Sequence, residues 1–439
     1  MKKLVLSIGI LLSTLPAFAQ QADNRVGELI NKLDWFSLEK EYPVLKDSVQ
    51  TEFLRLLAEI MIANNFNRPE EALKNIESLL AKYQQEIGFE NSYNMVALVS
   101  AIESQRGNYA KAADNIKDLI DKLKASGIQM DLSPFKGLFK AYNELRTYPA
   151  PNVSRPNRDI EIPVTIEPVK LLISLDGKRS RGLEIDIPVT IHQKPYKFIF
   201  DTGAFNTYMS ERFAKEVGVK IINDSLLINA GMIGAGYGMK GFLDSLQVGD
   251  IVFRNVMVAV GKPCAAVDSI VQIDAVLGMD FMKLMKEVRI HTKEKKLTFP
   301  VQTTPLPSTG RNFLLTNDNK PILKAESNNG SLLFLFDTGN NKADLSYTYY
   351  NKYKSKIDPV AQKDTITGGG FGFMRTKEVL CIPSVSFKIG DTPVEMKDIR
   401  VDPIADNGQT QEDGNLGMDL VKLFDTTIIN LQDMFVKFE

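Results

Sequence analysis

"FIFDTGAFNTYMS" (198–210) and "LFLFDTGNNKADLS" (333–346) each run large apolar residues straight into a carboxylate and then turn. A carboxylate among apolar side chains is costly unless it is paired, hydrogen-bonded or protonated. The chain builds this position twice, at Asp201 and at Asp337. The passages align without a gap, so that "YMSERF" (208–213) lies opposite "DLSYTY" (344–349), with Ser210 opposite Ser346. Each copy is followed by a glycine cluster, "GAGYG" (234–238) and "GGGFG" (368–372). Each then reaches a second signature, "AVLGMDFMKLMKEVRIHTKEKKLTF" (275–299) and "GNLGMDLVKLFDTTIINLQDMFVKF" (414–438), again aligned without a gap. Three elements recurring in one order at matched separations identify a duplicated β domain.

These residues resemble the pepsin/retropepsin aspartic proteases, whose lobes each carry apolar-apolar-Asp-Thr-Gly, a β-hairpin flap, and apolar-apolar-Gly before a short helix. The resemblance covers about 183–439 and implies an all-β bilobal fold of two duplicated lobes. It implies Asp201 and Asp337 as the catalytic pair and peptide-bond hydrolysis by an activated water, with no cofactor and no metal. Two carboxyls at close range cannot both ionise, so in that family they share one proton. Thr202 and Thr338 are expected to hydrogen-bond across the lobes and lock the two loops, and Gly203 and Gly339 to allow the tight turn and let backbone N–H groups reach the carboxylates.

Ala204 follows the first Asp-Thr-Gly as in the retroviral form, whereas Asn340 after the second is a departure. Its side-chain amide is expected to donate to Asp337, making Asp337 the more acidic partner and leaving the proton on Asp201. The glycine clusters read as flap tips, with Gly234, Gly236, Tyr237 and Gly238 from one lobe and Gly369, Gly370 and Phe371 from the other meeting the substrate. Asp280 and Asp419, after Leu-Gly-Met, are expected to cap the next helix or brace the loop.

The rest of the chain has a different texture. At 439 residues it is too long for one core. Residues 24–150 are rich in Leu, Ala, Lys, Glu and Asn; residues 155–439 are rich in Val, Ile, Phe, Thr and Gly. "RPEEALKNIESLLAKY" (68–83) places Leu73, Ile76, Leu80 and Tyr83 at helical spacing, and "GNYAKAADNIKDLIDKL" (107–123) does the same with Ala112, Ile116, Leu119 and Leu123. Each follows another apolar segment, so helical hairpins recur at a near-constant spacing. "GNYAKAA" resembles a tetratricopeptide unit in which Gly107 and Ala112 permit close helix contact, though the pattern fits an irregular helical bundle equally; a surface for binding a partner, or for covering the other domain, is the expected role of this region. "TYPAPNVSRPN" (147–157) reads as a linker. Beyond it, "LEIDIPVTIHQKPYKFIF" (183–200) alternates as strands, with a turn expected near Gln193-Lys194-Pro195.

The first residues, "MKKLVLSIGILLSTLPAFAQ", have a basic start, a short apolar run and Ala17-Phe18-Ala19 as a small-x-small cleavage site, the pattern of a secretory signal. The expected organisation is a signal over 1–19, a helical-hairpin domain over 20–150, and protease lobes over 151–304 and 305–439. Export to the periplasm or the outside follows, with no membrane span. A net charge of −1 argues against nucleic-acid binding. Two cysteines, Cys264 and Cys381, sit at non-matching places in the repeat and read as free thiols; with two histidines and no Cys-His cluster, a zinc site is not expected. The expected function is an exported aspartic endopeptidase acting on protein or peptide, with both acids in one chain and so no dimer required. The alternative from another class is a non-catalytic periplasmic peptide-binding protein that keeps the fold, with the helical region as partner platform.

Overall fold

The computed structural model describes residues 17–127, 129–175, 178–229, 235–262, 268, 272–370, 373–405 and 411–439. The chain divides into two compact units, Met1–Pro151 and Asn152–Glu439.

The first unit is helical: α1 (Ala17–Asn31), α2 (Trp35–Leu45), α3 (Glu52–Asn65), α4 (Pro69–Lys82), α5 (Gln84–Gln105), α6 (Tyr109–Ala125) and α7 (Ser133–Leu145). Three of the short turns between successive helices need a left-handed residue: Leu33, Asn67 and Gly107 all have positive φ. At Gly107 glycine is required twice over, because a Cβ there would also collide with Ala150. The expected role of Gly107, close approach of paired helices, is therefore corrected: its neighbour is the end of the unit. The buried stripe of α4 is Ala72, Ile76 and Leu79, matched in α6 by Ala112, Ile116 and Leu119. Leu73, Leu80 and Tyr83, expected on that stripe, are half-buried at its edge. Asp23, fully buried on α1, accepts hydrogen bonds from the N–H groups of Gln50 and Thr51, at 2.9 and 3.2 Å, and so holds the entry to α3. Among the described residues no helix is long and apolar enough to cross a membrane.

The second unit is built of three sheets. In the first the strand order is β1 (Asn152–Ser154), β9 (Ile251–Gly261), β6 (Tyr208–Ser210), β10 (Ala275–Leu277), β5 (Lys194–Phe200), β4 (Lys178–Ile191), β8 (Ala235–Val248), β7 (Lys220–Asn229), with β3 (Thr165–Leu175) paired to β4. The last repeats that plan in the second copy: β13 (Phe313–Leu315), β14 (Pro321–Ser327), β15 (Gly330–Phe336), β20 (Gly414–Leu416), β16 (Asp344–Leu345), β19 (Thr392–Val401), β18 (Phe373–Ile389), β17 (Gln362–Gly370). Between them lies a five-stranded sheet, β2 (Ile160–Pro163), β12 (Lys296–Phe299), β11 (Glu287–His291), β21 (Thr426–Asn430), β22 (Phe435–Phe438). The architecture is thus a helical region followed by a duplicated β body.

The expected turn between β4 and β5 comes slightly earlier, at His192–Gln193, both with positive φ, the requirement of a two-residue hairpin whose twist matches its strands. The duplication has a geometric centre in the middle sheet. There β11 and β21 run antiparallel with Arg289 opposite Ile428, residues that are each other's counterparts in the two copies. An antiparallel pair centred on equivalent residues is what a local two-fold relation produces. The same relation sets Glu287 opposite Asn430 and His291 opposite Thr426. Asn430 donates to Glu287 at 2.8 Å, while His291 Nδ1 lies 3.2 Å from the Thr426 hydroxyl. Cys381 is a free thiol on β18; Cys264 lies outside the described residues.

Candidate active site

Each Asp-Thr-Gly loop is fixed from below by its own lobe. In β5, Phe198 and Phe200 are fully buried, as are Phe334 and Phe336 in β15. These rings anchor the strand ends, so the next residue emerges at a set place. The strand carrying Leu-Gly-Met-Asp then pairs parallel to it: Leu277 is in register with Phe200 and Leu416 with Phe336. The N–H of Asp201 donates to the Leu277 carbonyl at 3.1 Å, and that of Asp337 to Leu416 at 2.9 Å. Next, Met279 and Met418 donate to the carbonyls of Ala204 and Asn340 at 2.7 and 2.8 Å. A Cβ on Gly278 or Gly417 would strike the loop backbone, at Asn206 or Asn340, so glycine is what allows the two segments to touch. Asp280 accepts from the Thr207 hydroxyl at 2.9 Å, and Asp419 accepts from the N–H of Ala343, the matching position, at 3.0 Å. Both acids brace the loop and also accept from a first-turn N–H of the following helix, Asp280 from Phe281 at 2.8 Å and Asp419 from Leu420 at 3.1 Å, while Gly278 and Gly417 occupy the N-cap positions themselves.

The lobes meet through their threonines. Thr202 N–H donates to Thr338 Oγ1 at 3.0 Å and Thr338 N–H to Thr202 Oγ1 at 2.9 Å. Each hydroxyl in turn donates to the other lobe, Thr202 to the Phe336 carbonyl at 2.8 Å and Thr338 to the Phe200 carbonyl at 3.0 Å. Both threonines are fully buried, so these reciprocal bonds form in a low-dielectric setting. They bring Asp201 and Asp337 side by side, joined by a hydrogen bond between their carboxyls. A Cβ on Gly203 would collide with the Asp337 carboxyl, and one on Gly339 with that of Asp201. Neither glycine has positive φ, so space rather than an unusual turn conformation is what requires glycine here.

The donors around the two acids are unequal. Asp201 Oδ1 accepts from the N–H groups of Gly203, Ala204 and Gly339, at 2.8, 3.2 and 3.0 Å. Asp337 Oδ1 accepts from Gly339 and Asn340, each at 3.0 Å, and shares the first with Asp201. Burial raises both carboxyls. Asp337 is raised well above the ordinary range, first by burial and then by the Asp201 charge beside it. In Asp201 burial is opposed by the hydrogen bond from Asp337 and the three N–H groups. The donor arrangement favours the ionised form of Asp201 over that of Asp337, a tendency opposite to the one expected from Asn340. The expected donor is corrected too: the Asn340 side-chain amide turns away to Asp344 Oδ2 at 3.1 Å, and only its backbone N–H meets Asp337.

The glycine clusters lie at the ends of β-hairpins. β7 and β8 set Gly236 opposite Ile228, Tyr237 opposite Leu227 and Gly238 opposite Leu226. β17 and β18 set Gly369 opposite Met374 and Gly370 opposite Phe373. Gly234 and Phe371 lie outside the described residues. Residues that sequence reasoning missed are Thr207, which braces the first loop, Asp344, which accepts from the Asn340 side chain, and Asn415, which donates to Asp344. Asp344 had a signal, an acid at the strand position where the first copy has Tyr208. Among the described residues no three His, Cys, Asp or Glu side chains gather as a metal-binding group.

Known proteins offer a comparison for this arrangement. No curated protein matches the chain. Among solved structures, the chain is similar to an aspartic proteinase from Irpex lacteus, at 14% identity and TM-score 0.37, over 63% of this chain and 96% of that one. It is also similar to a retropepsin-like aspartic protease from Rickettsia conorii, at 20% identity and TM-score 0.21, over 34% of this chain and 92% of that one. The family model described as aspartyl protease matches residues 187–281, a span running from the strand before Asp201 to the helix after Leu277-Gly278. Residues 187–281 are thus similar to the aspartyl protease family, and the second lobe repeats the same sequence signatures within the chain.

Proposed function

We propose that the protein is an exported aspartic endopeptidase in which Asp201 and Asp337 hydrolyse peptide bonds. The observation that carries this reading is the pair itself: two carboxyls from two lobes, hydrogen-bonded to each other and both accepting from the Gly339 N–H. Asp201, ionised, takes a proton from water as the water oxygen attacks the peptide carbonyl carbon. Asp337 gives its proton to the carbonyl oxygen, so the intermediate forms without net charge. On collapse the C–N bond breaks, the amine leaves with the proton held by Asp201, and a hydroxyl proton returns to Asp337. The pair ends with one proton, as it began. Partial exposure of both residues leaves water and substrate a way in.

In this reading an extended substrate pairs its main chain with the hairpins bearing Gly236–Gly238 and Gly369–Gly370, which act as flaps. The leader sequence supports export to the periplasm or outside, and the helical unit serves as a partner platform. The test is cleavage of a denatured protein at pH 4–7 by wild type and by Asp201→Asn and Asp337→Asn. Removing either member of an acid–base pair is expected to lower the rate at least about a hundredfold. A wild type that neither cleaves nor binds a statine-type inhibitor overturns the proposal.

A further inference from the structure

The two lobes differ on the surface that bears the carboxylates. Phe198 and Phe200 turn into the core, so Ile199 between them faces the way Asp201 faces. Leu335, between Phe334 and Phe336, does the same beside Asp337. Neighbouring strands extend each wall. In lobe 1, Val276 pairs with Ile199, Tyr208 with Val276 and Ala259 with Tyr208. In lobe 2 the same pairings join Asn415 to Leu335, Asp344 to Asn415 and Arg400 to Asp344. The first set packs with Ala204 and Ile273 as a continuous apolar cluster. Its duplicate is polar at every one of these strand positions except Leu335. Tyr208 and Val276 are 7% and 6% exposed, whereas Asp344 and Asn415 are half-buried and so retain access to solvent.

Asp344 is held by neutral donors. The side-chain amides of Asn340 and Asn415 reach its Oδ2 at 3.1 and 3.3 Å. Of the nearby cations, Lys377 forms its ion pair with Asp402 and attracts Asp344 only at longer range, and Arg400 lies 3.6 Å from Asp364. Among the described residues no cation pairs with Asp344. An apolar side chain seated here would remove water from a carboxylate and supply nothing in return, whereas an ammonium or guanidinium would complete its hydrogen bonding.

Resting on the protease reading, we infer that the two walls select opposite side chains: the lobe 1 wall takes an apolar residue on one side of the scissile bond, and the Asp344–Asn415 wall takes lysine or arginine on the other. The residue that reads the charge is Asp344; it contacts the substrate side chain and takes no part in bond cleavage.

The test compares, at pH 7 where Asp344 is ionised, peptides identical except for lysine or leucine at each position flanking the scissile bond. At one position wild type is expected to prefer lysine by at least about tenfold in kcat/KM, and at the other to prefer leucine. Asp344→Asn, which keeps shape and loses charge, is expected to abolish the lysine preference. Asn415→Val, which installs the lobe 1 residue, is expected to reduce it. Because each ratio is internal to one protein, a partly unfolded preparation does not alter it. Turnover without a lysine preference, or a preference that both variants retain, overturns the inference. Affinity for the same peptides with a hydroxyethylene link in place of the scissile amide separates the two readings. A lysine-over-leucine affinity ratio lost in Asp344→Asn, without turnover, supports the selective wall and removes the protease reading. Equal affinity for both overturns the wall.

Discussion

Asp201 and Asp337 share a residue type, a motif and a supporting strand, yet they face different donors. Three N–H groups converge on Asp201 Oδ1, one of them from the opposite lobe, whereas Asp337 has two and shares one. The asymmetry favours ionisation of Asp201 over Asp337, and it predicts the direction of the pH–rate profile. The competent pair has Asp201 ionised and Asp337 protonated. Acidification protonates Asp201 and alkalinisation ionises Asp337, so kcat/KM is expected to be bell-shaped, with its basic limb well above the ordinary carboxylate range. A profile that stays flat to alkaline pH contradicts a shared-proton pair. Gly203 supplies a second check at this scale. A methyl group there meets the Asp337 carboxyl, so Gly203→Ala is expected to lower kcat by at least about a hundredfold by misplacing the general acid, while helical circular dichroism stays unchanged.

The strand that ends in Leu-Gly-Met-Asp is meaningful only against the strand that ends in Asp-Thr-Gly. Leu277 receives the Asp201 N–H, Gly278 leaves room, Met279 holds the Ala204 carbonyl and Asp280 holds Thr207. That is why the two signatures were legible as a unit: each residue type answers a backbone need of the other segment, and the need is met twice. The threonine lock was legible for the same reason. The proton's location was not, because it depends on which carboxylate the Gly339 N–H and the Asn340 amide point to, and a motif does not encode direction. The α4 stripe likewise centred on Ala72 and Leu79 rather than Leu73 and Leu80, since periodicity defines a face only to within a neighbouring residue. The lock carries the element-scale prediction. Thr202→Val strands the buried Thr338 N–H and the Phe336 carbonyl, at a cost of about 1–3 kcal/mol. Thr338→Val strands the Thr202 N–H and the Phe200 carbonyl; the four bonds are distinct but join the same two loops, so the double variant should fall short of the sum by about 1 kcal/mol in urea denaturation. Strict additivity would mean the bonds are not coupled across the lobes.

Across the β body, acids are buried in several places at once, and together they set how the fold responds to pH. Burial raises Asp280 and Asp344 from 3.8 to about 6, raises Asp419, and raises the Asp201–Asp337 pair. A carboxyl whose folded pKa lies above its unfolded value binds protons more tightly in the native state. Its contribution to stability is complete below pH 3.8 and is lost as pH rises through 6. Exposed acids such as Asp114, lowered by its bond to Arg146, act in the opposite sense, but solvent screens them. Each raised acid thus makes the native state more stable at pH 4 than at pH 7, by up to about 3 kcal/mol for a two-unit shift. Asp280→Asn keeps an acceptor for the Thr207 hydroxyl and cannot titrate. The stability difference between wild type and Asp280→Asn should therefore favour wild type at pH 4 and shrink or reverse by pH 7, with Asp344→Asn behaving alike. Urea midpoints at pH 4, 5, 6 and 7 read this directly. A difference independent of pH for both variants would mean that these carboxyls titrate at their ordinary values inside the fold, against the argument from burial.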